Sequence, residues 1–192
     1  MVILIGGASC TGKTIMAQKL LEIYKIPYLS IDHIKMGIIR GNSYCDFTAE
    51  DKDEELTKKL WPIVIGIIKT NIENDQHIII EGCYIPTDDV MDFEPEYLNH
   101  ILPLYIGFSE EYIRKHFQDG IVEHRSEIEY KDITEYMNLE NFVNAHKLQK
   151  ERCTKDHQMY FEVTKDYEKD LKSAYDWIEE NSRRILQRRF NS

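Results

Sequence analysis

Residues Gly7-Ala8-Ser9-Cys10-Thr11-Gly12-Lys13-Thr14 carry the spacing G-x-x-x-x-G-K-[ST] without deviation. Each part answers to a chemical need. Glycines let the backbone wrap closely around phosphate oxygens with its amides turned inward. A helix starting near Lys13 adds its positive end. The Lys13 ammonium is placed to reach the β- and γ-phosphates of a nucleotide, and the Thr14 hydroxyl to coordinate Mg²⁺. The competing reading, a strand–turn–helix junction with incidental glycines, lacks a reason for the Lys-Thr pair. Gly7, Ala8, Ser9, Cys10, Thr11, Gly12, Lys13 and Thr14 are therefore expected to hold a nucleoside triphosphate. Cys10 sits where a thiolate would be favoured, although a small residue that fits the loop is the plainer account.

Such a cradle works only between a strand and a helix, and the flanking sequence supplies both. Val2–Ile5 is a short apolar run suited to a strand buried on both faces of a parallel sheet. Ile15, Met16, Leu20 and Ile23 recur at helical spacing after Lys13. Further strands are expected at 26–31, 78–80, 101–108 and 160–163, with Pro103 shortening the fourth. Asp32 stands where a helix N-cap would. Thr48-Ala49-Glu50-Asp51 reads as a weak capping box opening a long helix toward Asn71, kinked at Pro62. Another helix is expected from about Asp166. The polar stretch 118–135 has the composition of a covering lid. Strands alternating with helices predict an α/β fold whose ligands bind beyond the carboxyl ends of the strands.

Composition sets the outer limits. The chain has 192 residues, enough for one domain with a full core, and a formal net charge of −10. That charge argues against a general nucleic-acid binder. Cys10, Cys45, Cys83 and Cys153 are widely spaced and contain no C-x-x-C pair, which favours reduced thiols and a cytoplasmic setting. No apolar stretch approaches the ~20 residues of a membrane span.

The order of the phosphate cradle, Ser30-Ile31-Asp32-His33-Ile34-Lys35, Ile78-Ile79-Ile80-Glu81-Gly82, a fourth strand, a lid and a last strand resembles the small-molecule kinase branch of P-loop proteins. That branch includes adenylate, shikimate and gluconate kinases, with zeta-toxin and chloramphenicol phosphotransferase relatives. The resemblance implies a P-loop NTPase three-layer sandwich: a five-stranded parallel sheet with helices on both faces and a lid, as one domain over 1–192. It implies ATP and Mg²⁺ as cofactors. Asp32 matches the acid that orients or deprotonates the acceptor hydroxyl, and Glu81 the acid that holds Mg²⁺ with Thr14.

Lys35, one turn beyond Asp32, and Arg40 are the acceptor-side cations. Arg114 and Arg125 are the candidates for closing over the phosphates. Thr164 lies in the loop expected to pack on the adenine base. The arginine that monophosphate kinases carry after the strand-three glycine is missing from Glu81-Gly82-Cys83-Tyr84-Ile85-Pro86. The expected function is transfer of the ATP γ-phosphate to a small-molecule hydroxyl or phosphorylated metabolite. The alternatives are a nucleotide-binding switch or regulatory module and a nucleoside monophosphate kinase. The helix around Leu60-Trp61-Pro62-Ile63 is expected to shape the acceptor pocket or to serve as core.

Overall fold

A computed structural model of the chain describes residues 1–123 and 138–189. Its centre is β1 (Val2–Gly6), every residue of which is buried. The helix α1 (Lys13–Tyr24) follows, then β2 (Tyr28–Ser30), α2 (Ile31–Gly41), α3 (Asp53–Glu73) and β3 (Ile78–Glu81). A 3₁₀ turn at Asp89–Asp92 and the short α4 (Pro95–Leu98) lead to β4 (Ile101–Phe108). After it come α5 (Glu110–His116), a π turn at Phe117–Val122, α6 (Leu139–Lys155), β5 (Tyr160–Val163) and α7 (Tyr167–Arg189).

The strands form one five-stranded sheet in the order β2-β3-β1-β4-β5, and every pairing is parallel. Successive side chains of a strand face opposite ways, so β1 feeds two cores at once. Ile3 and Ile5 pack with Met16 and Leu20 of α1, Ile113 of α5, Val143 of α6 and Leu171 and Ile178 of α7. Val2 and Leu4 pack on the other face with Leu56, Leu60, Trp61, Val64 and Ile68 of α3. This is the expected α/β sheet covered on both sides. Among the described residues, no helix is long and apolar enough to cross a membrane.

Several local expectations are corrected. The N-cap of α2 is Ser30, and Asp32 already lies inside the first turn. The second strand ends at Ser30, so the helix starts sooner than the apolar run suggested. Thr48 and Asp51 do bond, through the Thr48 N–H and hydroxyl to the Asp51 carboxylate at 3.1 and 2.9 Å. They close a turn ahead of α3, whose N-cap is Lys52. That helix continues through Pro62, which is exposed, so water can satisfy the carbonyl its missing N–H would have served. Pro103 does not shorten β4. Leu60 and Trp61 belong to the core. The helix α6, which the sequence reading did not anticipate, seals the sheet beside β4 and β5.

Candidate nucleotide and acceptor site

The loop after β1 has the backbone of a cradle. Gly7 has φ 142° and Gly12 φ 81°, both in the region that favours glycine. A Cβ at Gly7 would overlap the Ile106 carbonyl oxygen, and one at Gly12 the Tyr167 hydroxyl. Glycine is thus required by conformation and by space. Cys10 also takes a positive φ, 58°, while its Sγ lies 3.6 Å from Ser9 Oγ. The Thr11 hydroxyl donates to the Ala8 carbonyl at 3.0 Å and holds the turn closed. Tyr167, at the start of α7, reaches across to the Thr11 and Gly12 carbonyls, donating at 3.4 Å to each.

Lys13 is 6% exposed, and its ammonium donates to the Ala8 carbonyl at 2.7 Å. It is thus folded back over its own loop. Burial alone would lower its pKa, but the Cys83 thiol and the carboxylates of Glu81 and Asp32 outweigh this and raise it. Thr14 donates its hydroxyl to Glu81 Oε1 at 3.3 Å. A hydroxyl and a buried carboxylate side by side are hard oxygen donors that fit Mg²⁺, which takes few protein ligands and completes its shell with phosphates and water. Among the described residues, no group of three or more His, Cys, Asp or Glu forms a metal cluster.

The other half of the cleft is built from the ends of β2 and β3. Lys35 and Asp32, one turn apart on α2, form an ion pair at 2.8 Å. Lys35 also donates to the Tyr84 hydroxyl at 2.8 Å and lies 5.0 Å from the centre of that ring. Burial would lower the Lys35 pKa, yet its bonds to Asp32 and Tyr84 raise it. Tyr84 is pushed up to about 12, mainly by burial. It therefore keeps its proton at neutral pH. Asp53 opens α3 beside them. Its carboxyl pKa is raised, first by its protein surroundings and then by Asp32, while Lys35 and Lys13 act the other way.

Lys13, Thr14, Asp32, Lys35 and Glu81 are thus brought together. Two other named cations are not. Arg40 is exposed in the last turn of α2, about two helical turns from Asp32. Arg114 is committed to carboxylates: Nε to Glu110 at 2.8 Å, and the guanidinium to both oxygens of Glu140 at 2.6 and 3.1 Å. It joins α5 to α6, which corrects its expected place over the phosphates. Arg125 and residues 124–135 of the expected lid lie outside the described residues.

The sequence reading missed Asp53, Cys83, Tyr84, Tyr167 and His146. Cys83 and Tyr84 directly follow Glu81-Gly82, which was a usable signal; Asp53 had none. His146 of α6 is 2% exposed and accepts from the Phe108 N–H through Nδ1 at 2.9 Å. Burial and the Lys13 charge push it down to about 3, so it stays neutral.

The loop holding Thr164 is fixed by one carboxylate. Asp170 Oδ2 accepts from the Thr164 and Lys165 N–H groups at 2.6 and 2.8 Å and from the Thr164 hydroxyl at 3.0 Å. These bonds hold Asp170 down to about 2, against ~3.9 in an unfolded chain. Its contribution to stability is therefore present above about pH 4 and is lost as the pH falls through about 2. Asp170→Asn should melt about 2–4 °C below the parent at pH 7. Thermal melts between pH 7 and 2 should show that gap narrowing toward the acid end, and a constant gap would refute the assignment.

No family model and no curated protein matches the chain. Solved structures do. A shikimate kinase from Aquifex aeolicus aligns over 95% of this chain and 98% of its own, at 16% identity and a TM-score of 0.55. A Chloroflexus aurantiacus protein proposed to be a kinase aligns over 94% and 97%, at 16% identity and 0.57. A sugar kinase from Janibacter sp. HTCC2649 aligns over 93% and 94%, at 12% identity and 0.51. The five-stranded parallel sheet with its surrounding helices is thus the α/β fold of P-loop small-molecule kinases. At these identities the likeness is one of fold.

Proposed function

We propose that the chain is an ATP-dependent phosphotransferase acting on a small-molecule hydroxyl, in one domain with 118–135 as its lid. The observation that carries this is the meeting of the phosphate cradle with two acids. Glu81 contacts Thr14 inside the cradle, while Asp32 stands beyond Lys13 in the first turn of α2, after the strand next to β3. A switch needs the first contact but has no use for the second.

In this reading the Gly7–Thr14 backbone and Lys13 bind the triphosphate. The Lys13 charge stabilises the negative charge on the transferring group. Thr14 and Glu81 hold Mg²⁺, which when bound neutralises phosphate charge. Asp32 orients the acceptor hydroxyl and takes its proton as the oxygen attacks phosphorus. Lys35 keeps Asp32 in position. Thr164 and its loop border the base.

The direct test is a screen for acceptor-dependent ADP formation across sugars, sugar acids, phosphorylated sugars, nucleosides and nucleoside monophosphates. At least one hydroxyl acceptor should raise ADP release well above the acceptor-free rate. A folded protein that binds ATP yet shows no such acceptor points instead to the regulatory module.

A further inference from the structure

The segment that follows β3 reaches the acceptor half of the cleft with Tyr84, which is buried. Its hydroxyl accepts from the Lys35 ammonium at 2.8 Å, and the same ammonium pairs with Asp32 Oδ1 at 2.8 Å. Lys35 also lies 5.0 Å from the centre of the Tyr84 ring. An ammonium on a flexible four-carbon stem has many places to go, and these contacts fix it to one. A carboxylate in place of the phenol would compete with Asp32 for the positive charge. The phenol keeps its proton at neutral pH, so it orients the ammonium and leaves the charge to Asp32.

A side chain can orient another group only where its own backbone is held, and this segment is tied on both sides of Tyr84. Before it, Glu81 stands in register with Ile5 and Ser30, and the Gly82 N–H donates to the Ile5 carbonyl at 3.2 Å. Gly82 also abuts Ile31, the first residue of α2: a Cβ at Gly82 would stand 2.9 Å from the Ile31 Cβ. After it, the Tyr105 hydroxyl donates to the Pro86 carbonyl at 2.6 Å and the Thr87 hydroxyl to Asp156 at 2.6 Å. Gln158 Nε2 donates to the Thr87 carbonyl at 2.7 Å. These anchors belong to β1, β4 and the turn between α6 and β5. The pair on α2 is therefore referred to a point that the sheet holds.

We propose that Tyr84 is a positioning residue for the transfer step: it holds Lys35 where that ammonium orients the Asp32 carboxylate toward the acceptor hydroxyl. The inference rests on the phosphotransferase reading above. In that step the acceptor oxygen bonds to the γ-phosphorus and the bond to the β,γ-bridging oxygen breaks. The electron pair of that bond leaves with ADP, and the hydroxyl proton passes to the Asp32 carboxylate. Asp32 has a further interaction of its own, so the Tyr84–Lys35 contact is not the sole constraint on its orientation, and the effect of losing it is moderate.

The test is steady-state ADP formation by Tyr84→Phe with the acceptor that serves the parent best in the screen above. Phenylalanine keeps the ring beside the ammonium and removes the oxygen that fixes it. The kcat should fall about tenfold, less than the ~100-fold that a misplacement of ~1 Å can cost. KM for the acceptor and for ATP should stay at the parent values, with melting curves showing a folded protein. Lys35→Met should lower kcat at least as far, again without raising the acceptor KM. The double variant should be no slower than Lys35→Met alone, because Tyr84 acts through Lys35. Unchanged kcat in folded Tyr84→Phe, a raised acceptor KM with kcat retained, or losses that multiply in the double variant would each overturn the inference and leave the phosphotransferase reading standing. Should Tyr84→Phe not fold, Lys35→Met decides, and a loss confined to the acceptor KM overturns the inference. A parent that binds ATP and forms no ADP with any acceptor would overturn both.

Discussion

Lys13→Met is expected to lower phosphoryl transfer by about 10²–10³-fold in kcat, the loss seen when one preorganised charge-stabilising donor is removed, and to weaken ATP binding about tenfold or more. The ammonium is held fully protonated at neutral pH by its anionic surroundings. It donates to Ala8 and Thr11 of its own loop and is bonded to the Cys83 thiol after β3. On the proposed reading a phosphate oxygen would replace those bonds, so the lysine's effect should fall on the ligand rather than on the fold. Methionine keeps the apolar stem and deletes the charge. Fluorescent-nucleotide titration and a coupled ADP assay would read the two losses, and thermal melting should shift by no more than a few degrees. Retained affinity in a folded variant would remove the cradle as the nucleotide site.

The second large effect is expected from Asp32→Asn: a fall of about 10²–10⁴-fold in acceptor-dependent kcat, the usual range for a proton-transfer group, with ATP affinity unchanged. Asparagine retains a carbonyl that can accept from Lys35, so the geometry of the 2.8 Å contact survives while the charge is lost. Position inside the first turn of α2, rather than at its cap, matters here. A capping carboxylate is occupied with backbone amides, whereas the Asp32 carboxylate is paired with the Lys35 ammonium. Single-turnover rates with ATP and the best acceptor would separate a chemical defect from a binding one. Unchanged turnover would assign Asp32 to structure alone.

What was legible in the sequence follows from distance along the chain. The cradle is local: eight consecutive residues between an apolar run and a helical repeat, and they fold together because each interaction lies within a few positions. The strands were legible because a strand buried on both faces tolerates only apolar side chains, as in Val2–Ile5 and Ile101–Phe108. Glu81 and Asp32 could be placed because they terminate such runs. The partners were not legible. Arg114 has the composition of a phosphate-closing residue, and only the packing of α6 sets Glu140 opposite it. For Lys35, its partner Tyr84 stands 49 positions away. The helix α6 was missed because Phe142, Val143, His146 and Cys153 are its buried residues and the rest of it is polar. Its apolar stripe is too sparse to announce a period.

Tyr167 gives the molecule a temporal order. Its hydroxyl rests on the carbonyls of Thr11 and Gly12, 156 and 155 positions earlier. The strand that leads into that loop, β1, finds its sheet partners only in Ile78–Glu81 and Ile101–Tyr105. During synthesis the cradle therefore leaves the ribosome long before either neighbour of its strand, and longer still before the tyrosine that braces it. Such distant pairings fold slowly, and their apolar strands stay open to aggregation or to chaperones meanwhile. A nascent chain truncated before Tyr167 would contain the whole nucleotide motif and lack the brace on which its loop is set.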